Sequence, residues 1–165
     1  MFEGVDIQEA IKRSIQVEKN ARDFYRLGAN HMKDEQARKA FELLAREEAE
    51  HAKWFYDIYE GDDIPDFDAF MAVDPETDSD WLSDLEKHLM EGISERKAME
   101  VAMKKELDLE TSLRQLADKI KDTKVREVFL LNAKSTHHHY ELIESEYARL
   151  MGMVHETDID TYVRE

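Results

Sequence analysis

The chain lacks cysteine, contains only 5 glycines and 2 prolines in 165 residues, and has no apolar run approaching the ~18 residues of a membrane-spanning helix. Without cysteine it cannot form disulfides, thiolate-bound zinc sites or iron–sulfur clusters. Basic residues are also few: 23 Lys and Arg stand against 39 Asp and Glu, a net charge of −16, which argues against a nucleic-acid or anionic-membrane partner. The acidic N-terminus lacks the features of a signal peptide, so we expect a soluble, cytoplasmic protein.

The abundant Ala, Leu, Glu, Lys and Met predict a mostly helical chain. Apolar residues recur at three- and four-residue spacing in four long segments, which predicts four helices. Short turns join the first to the second and the third to the fourth, which makes each pair antiparallel. We therefore predict a single all-α domain over 1–165, with helix pairs about 5–60 and 94–151, a long crossover at 61–93 and a short tail at 152–165. The four predicted long helices are Val5–His31 with Asp6 as cap, Glu35–Tyr59, Glu95–Lys121 with Ser94 as cap, and a last helix that ends near Met151. Within the crossover, Gly61–Ser79 shows no helical period, and Asp80–Glu91 is predicted as a short helix.

Glu48 and His51 are the first candidate site residues. They lie three positions apart in the second helix, and therefore on one face, which continues through Phe41, Leu44 and Phe55 toward the core. Buried ionised carboxylates need a partner, either a cation such as a metal ion or an Arg or Lys side chain. A position at the partly exposed end of a bundle is the structural alternative.

An internal repeat strengthens the metal interpretation. Shifting the chain by 88 positions aligns the first helix pair with the second, without a gap between residues 10 and 59. The shift places Glu18 on Glu106 and His51 on His139. Matched apolar residues arise easily between amphipathic helices, whereas a matched lone acid and a matched inward histidine do not. We infer a duplication.

One Glu from each of two helices, with Glu-x-x-His from each of the other two, is the pattern of carboxylate-bridged di-iron bundles. Carboxylate oxygens suit ferric iron, and imidazole suits the ferrous ion. Glu18, Glu48, His51, Glu106 and His139 match this pattern, but Thr136 stands where the repeat requires the counterpart of Glu48. Candidate replacements are Glu110, His137 and His138, although each lies about one residue's rotation, ~100°, away from the inward stripe.

The chain resembles the rubrerythrin branch of the ferritin-like superfamily over residues 5–150. The resemblance is carried by EKNARDFY with Glu18 and Tyr25, FELLAREEAEH with Glu48 and His51, AMKKE with Glu106, and FLLNAKSTHHH with His139. It implies a ferritin-like four-helix bundle in which these Glu and His residues bind two iron ions and Tyr25 lies in their second shell. The chain departs from the pattern of classical rubrerythrins in three ways. Thr136 replaces a bridging Glu, Leu109 and Leu113 replace a Glu and a Tyr of the third helix, and the rubredoxin module is missing.

By this resemblance we expect a non-heme di-iron oxidoreductase that reacts with hydrogen peroxide or oxygen. Glu48 would bridge the two iron ions, while Glu18, His51, Glu106 and His139 would be terminal ligands. Electrons would come from a separate donor protein, and a homodimer is expected. The alternatives are a non-catalytic module that binds or stores ferrous iron, and a degenerate bundle whose site is incomplete because of Thr136. A single iron ion or another divalent metal is also open.

Overall fold

The computed structural model describes residues 6–76, 79, 81–83 and 95–163, and for 153–163 the backbone alone. These residues form no β-strand, which confirms the all-α prediction. The helices are α1 (Ile7–Asn30), α2 (Glu35–Ile58), α3 (Phe67–Met71), α4 (Glu95–Lys119) and α5 (Thr123–Val163). None of the described helices is long and apolar enough to cross a membrane.

Aspartate side chains cap the N-termini of α1, α2 and α5. Asp6 accepts a hydrogen bond from the Glu9 amide and Asp34 accepts one from the Ala37 amide. Asp122 does the same at the start of α5, where it accepts from the amides of Lys124 and Val125. Such caps satisfy amide groups that have no partner within the helix, so local sequence determines where these helices start.

The connection between the pairs contains a helix that the sequence pattern did not predict. Asp66 caps α3 by accepting from the amides of Asp68 and Ala69, and Met71 at its end is buried. Five residues are too few to establish a helical period, so the prediction of an irregular Gly61–Ser79 segment was wrong here. Trp81 and Leu82 are buried as expected. Most of the predicted Asp80–Glu91 helix, the Ser94 cap and part of the crossover lie outside the described residues.

The last helix is longer than predicted, because α5 continues through Gly152 to Val163 instead of ending near Met151. A single glycine costs a helix only about 1 kcal/mol relative to alanine. Both prolines of the chain, Pro65 and Pro75, precede α4. Nothing in the sequence after Gly152 is therefore a strong helix breaker.

The two helix pairs pack against each other as a four-helix bundle. α1 lies along α2, α4 lies along α5, and α2 lies against α5. The Glu60 amide bonds to Gln8 near the start of α1, whereas Glu95 at the start of α4 accepts from the Asp34 amide beyond the end of α1. Hence α4 begins at the opposite end of the bundle from the end of α2.

Two apolar clusters fill the bundle interior. One contains Ala21, Phe24, Tyr25, Phe41, Leu44, Trp81, Ala102 and Ile143; the other contains Ile11, Ile15, Phe55, Leu113, Ala117, Phe129 and Ala133. On α1, Glu18 lies between Ile15 of the second cluster and Ala21 of the first. A layer of polar side chains therefore separates two apolar regions.

Candidate metal centre

Three glutamates from three helices meet in the polar layer. Glu18 comes from α1, Glu48 from α2 and Glu106 from α4, and all three are fully buried. Each belongs to the same helical stripe as the apolar residues around it, which is why folding carries it inward. Three carboxylates in a dry interior require protons or cations to balance their charge.

Two histidines complete the layer. His51 Nδ1 lies 3.4 Å from Glu18 Oε2 and 3.8 Å from Glu48 Oε1. His139 Nδ1 lies 2.6 Å from Glu48 Oε1 and 3.8 Å from Glu106 Oε2. Despite these short distances, neither Nδ1 atom has the alignment of a hydrogen bond. The imidazole rings stack with their centroids 4.9 Å apart. Both histidines therefore present the same ring nitrogen to the carboxylates.

The other ring nitrogens reach across to the opposite helix pair. His51 Nε2 lies 2.7 Å from Ser135 Oγ, and His139 Nε2 lies 2.9 Å from Glu47 Oε1. Glu47 and Ser135 are themselves related by the 88-residue repeat, so the two contacts are reciprocal. Such outer partners orient a ligating imidazole and select its tautomer. Neither residue is predicted from the sequence, although the 88-residue repeat pairs them.

Tyr25 also crosses between the helix pairs. Its hydroxyl donates to Glu106 Oε1 at 2.6 Å, and the residue is fully buried. Burial and the nearby Glu106 carboxylate raise the pKa of Tyr25 well above 10.0, so the hydroxyl keeps its proton and remains a donor. The structure thus brings Tyr25 into contact with Glu106, one of the predicted ligands.

The electrostatics of the layer reflect its excess of carboxylates. Burial, followed by repulsion from Glu18 and Glu106, raises the pKa of Glu48 well above 4.5. Burial opposes ionisation of His139 most strongly, but the carboxyl groups of Glu48, Glu106 and Glu47 together outweigh it and raise the pKa of this histidine. Protons thus supply positive charge in a site that would otherwise hold three uncompensated anions.

The donor atoms fit a metal ion. Among the described residues, nine buried side-chain nitrogen or oxygen atoms have no hydrogen-bond partner, and seven of them belong to Glu18, Glu48, His51, Glu106 and His139. Buried polar atoms are almost always satisfied, so such a concentration requires a missing partner. Glu48, His51 and His139 each offer an atom within 4.8 Å of the others. Carboxylate oxygen and imidazole nitrogen are ligand types that suit iron.

The candidate replacements for the missing glutamate lie elsewhere. Glu110 accepts a hydrogen bond from Arg114 and lies 2.9 Å from His137 Nδ1, whose side chain is 45% exposed. His138 is exposed and pairs with Glu141. Thr136 itself is fully buried and contributes one of the two remaining unpartnered atoms. The structure therefore does not bring Glu110, His137 or His138 into the layer.

A cavity of about 400 Å³ between α1 and α4 leads to the layer. Glu18 lines it together with Ser14, Val17, Leu109 and Leu113. Leu109 occupies the position at which the resemblance implied a further Glu, and here it contributes to an apolar wall. A small molecule in this cavity would contact Glu18.

The fold and the site define an all-α bundle with a buried carboxylate–imidazole layer suited to metal. The family model described as Rubrerythrin matches residues 9–147 of the chain. The chain belongs to the rubrerythrin family, and its fold is a ferritin-like four-helix bundle. Searches of the curated proteins and of the solved structures give no match. The family implies iron binding, and the layer supplies a candidate group of ligands.

Proposed function

We propose that the protein is a di-iron oxidoreductase that reduces hydrogen peroxide, or reacts with oxygen, using electrons from a separate donor protein. The observation that supports this proposal best is the group of seven unpartnered donor atoms on five buried residues. A scaffold without a metal would leave these atoms unsatisfied at considerable cost, since each buried unsatisfied group costs about 1–3 kcal/mol.

The five residues divide between two ion positions. Glu18 and His51 would hold one ion and Glu106 and His139 the other, with Glu48 between them. This division follows the carboxylate other than Glu48 that each histidine approaches, Glu18 at 3.4 Å from His51 and Glu106 at 3.8 Å from His139. Glu48 Oε1 lies near both histidines, 3.8 Å from His51 Nδ1 and 2.6 Å from His139 Nδ1. When bound, iron would supply one-electron changes between its ferrous and ferric states.

The protein's own residues would position the reactants and exclude water. Tyr25 holds Glu106 through its hydroxyl, and Glu47 and Ser135 hold the two imidazoles. The apolar clusters on both sides lower the polarity around the layer, which strengthens its electrostatic interactions. Reduction of hydrogen peroxide to water consumes two electrons and two protons. The chain has no cysteine to carry those electrons, so an external donor is part of the proposal.

The cavity beside Glu18 supports a small substrate. Its volume of about 400 Å³ accommodates peroxide or oxygen, and its lining combines apolar residues such as Val17 and Leu109 with polar and charged ones that include Glu18. We also propose a homodimer, on the family resemblance.

The test is to count metal and then to measure turnover. Protein purified without affinity-metal contact is reconstituted anaerobically with ferrous iron, and iron per chain is measured by elemental analysis. We expect two ions in the parent and their loss in Glu48→Ala, because Glu48 contacts both halves of the layer. Glu50→Ala, an exposed change two residues away, is the matched control and should retain both ions. Addition of peroxide to the reduced parent should then oxidise it stoichiometrically, as followed by visible absorption.

Other outcomes separate the alternatives. Two ions without peroxide-dependent oxidation would indicate a storage or buffering module. One ion or none in the parent, with two in Thr136→Glu, would show that Thr136 has inactivated the centre. That result would overturn the redox proposal for this chain.

A further inference from the structure

Two further buried polar atoms have no hydrogen-bond partner and do not belong to the five candidate ligands. They are Asn132 Oδ1 and Thr136 Oγ1, both on α5, and both residues are fully buried. They are one helical turn apart, so their side chains lie on the same face. Thr136 precedes His139 by three residues and follows Ser135, which contacts His51. Thr136 therefore lies at the level of the metal layer, and Asn132 lies one turn closer to Phe129.

The orientation of Asn132 is set by its amide nitrogen. Nδ2 donates to the Val128 carbonyl at 2.9 Å. Rotating the amide by 180° would place two oxygens against each other, so the observed assignment is the favourable one. The oxygen of Asn132 is therefore directed away from the backbone and has no donor.

The hydroxyl of Thr136 does not form the backbone hydrogen bond that the hydroxyls of Ser14 and Thr111 form within their helices. Ser14 donates to the carbonyl of Ala10 at 2.9 Å, and Thr111 donates to that of Leu107 at 3.0 Å. This bond to the carbonyl four residues earlier is the usual solution for a serine or threonine within a helix. Thr136 makes no such bond. Its hydroxyl remains available for another partner.

Both of these residues differ from their counterparts in the internal repeat. The counterparts of Asn132 and Thr136 in the first helix pair are Leu44 and Glu48, which are also fully buried. An apolar residue and a carboxylate in one half thus correspond to two smaller, neutral polar residues in the other. Two buried polar atoms without a partner are what a bound water satisfies, since a buried water forms two to four hydrogen bonds with polar groups.

We propose that Asn132 and Thr136 hold a water molecule that replaces the second bridging carboxylate and completes the coordination of the ion at Glu106 and His139. Asn132 Oδ1 accepts one hydrogen bond from this water, and Thr136 Oγ1 forms a second. The water's oxygen then faces the ion. This inference rests on the proposed function, since it assigns a missing ligand of the same centre.

The test measures cobalt binding, which reports coordination without redox chemistry. Co²⁺ is titrated into metal-free parent, Thr136→Val, Asn132→Leu and the double variant, and visible absorption gives both affinity and ligand geometry. We expect each single variant to bind about 10–100-fold more weakly, the usual cost of losing an outer-shell partner. The double variant should bind no more weakly than the weaker single variant, because both residues serve one water.

The stability of the metal-free protein is the second readout. Replacing unpartnered buried polar groups by apolar groups of similar shape is neutral or stabilising. Thermal unfolding of metal-free Thr136→Val should therefore occur at or above the parent temperature while its cobalt affinity falls. Thr111→Val, which removes an exposed threonine hydroxyl, is the matched control and should leave cobalt binding unchanged.

The outcomes distinguish this inference from the proposed function. Cobalt and iron binding in the parent, with affinities within twofold in both single variants, would overturn the shared water and leave the di-iron proposal standing. Additive losses in the double variant would also overturn it, since the residues would then act separately. A parent that binds neither metal would refute both proposals. If Asn132→Leu fails to fold, as judged by circular dichroism, the nearly isosteric Thr136→Val decides.

Discussion

The buried layer has two halves, built by α1–α2 and by α4–α5, that contain the same glutamate and histidine but differ in the number of their carboxyl groups. The first half holds Glu18 and Glu48, and all four of their carboxylate oxygens lack hydrogen-bond partners. The second half holds Glu106 and, in place of a second carboxyl group, Thr136. A duplicated scaffold has therefore produced a centre with two carboxyl groups on one side and one on the other.

Two contacts between the halves are also unequal. Tyr25 of the first half bonds to Glu106 of the second, whereas Leu113, the counterpart of Tyr25, offers no hydroxyl to Glu18. His139 has a carboxylate, Glu47, as its outer partner, while His51 has only the hydroxyl of Ser135. Each half thus receives support from the other, but of unequal strength. The lesson is that a sequence repeat can preserve positions while the interactions at those positions diverge.

The outer partners of the histidines give the largest expected effect on metal binding. Glu47→Gln should weaken metal binding by about 10–100-fold, because a carboxylate partner makes the imidazole a better ligand. Ser135→Ala should weaken it less, since it removes a neutral partner. Cobalt titration of both variants measures the difference, with Glu50→Gln as the control. A larger loss of cobalt affinity in Ser135→Ala than in Glu47→Gln would contradict the view that Glu47 is the stronger outer partner.

The Tyr25→Phe variant tests the hydrogen bond between Tyr25 and Glu106, which joins the two halves. Tyr25→Phe leaves Glu106 Oε1 without a donor, so the free energy of unfolding of the metal-free protein should fall by about 1.5–3 kcal/mol, the range for hydrogen bonds to charged groups. The Tyr140 hydroxyl also donates to a glutamate, Glu144, but at the surface. Tyr140→Phe is therefore the matched control and should cost much less in urea unfolding. Equal losses in the two variants would show that burial of the Tyr25–Glu106 contact adds nothing.

The helix caps give the smallest expected effect. Asp34 caps α2 and also accepts a hydrogen bond from Arg149, whereas its counterpart Asp122 caps α5 from an exposed position. Asp34→Ala should cost about 1 kcal/mol or more of stability, and Asp122→Ala no more than that. Thermal unfolding of both variants at neutral pH makes the comparison.

The pH dependence of the Asp34 effect has a definite sign. The hydrogen bond from Arg149, followed by that from the Ala37 amide, lowers the pKa of Asp34 below 3.8. A lowered pKa in the folded state means that the stabilisation is present above the ordinary pKa and is lost as the pH falls through the folded value. The stability difference between the parent and Asp34→Ala should therefore shrink below about pH 4. A difference that stays constant down to pH 2 would exclude ionisation of Asp34 as its source.

Much of the fold was predictable because apolar residues recur at a regular spacing along long helices. The starts of α1 and α2 are set by local aspartate caps, and the inward placement of Glu18, Glu48 and Glu106 follows from their apolar stripes. α3 was missed because five residues are too short to show a period, and it is held in place by the distant Arg22, which bonds to the Met71 carbonyl. The end of α5 differs from the predicted end near Met151, because a single glycine such as Gly152 only weakens a helix.

The sequence by itself determined the helix pairs, their repetition at 88 positions and the burial of the five candidate ligands, because these depend on spacing along each chain segment. Only the tertiary structure decided which histidine nitrogen faces the carboxylates, that Glu47 and Ser135 support the opposite half, and that Asn132 and Thr136 lack partners. Those properties depend on how two helix pairs are rotated and shifted against each other. Spacing within one helix does not encode that relation, because it arises only when side chains distant in sequence pack together.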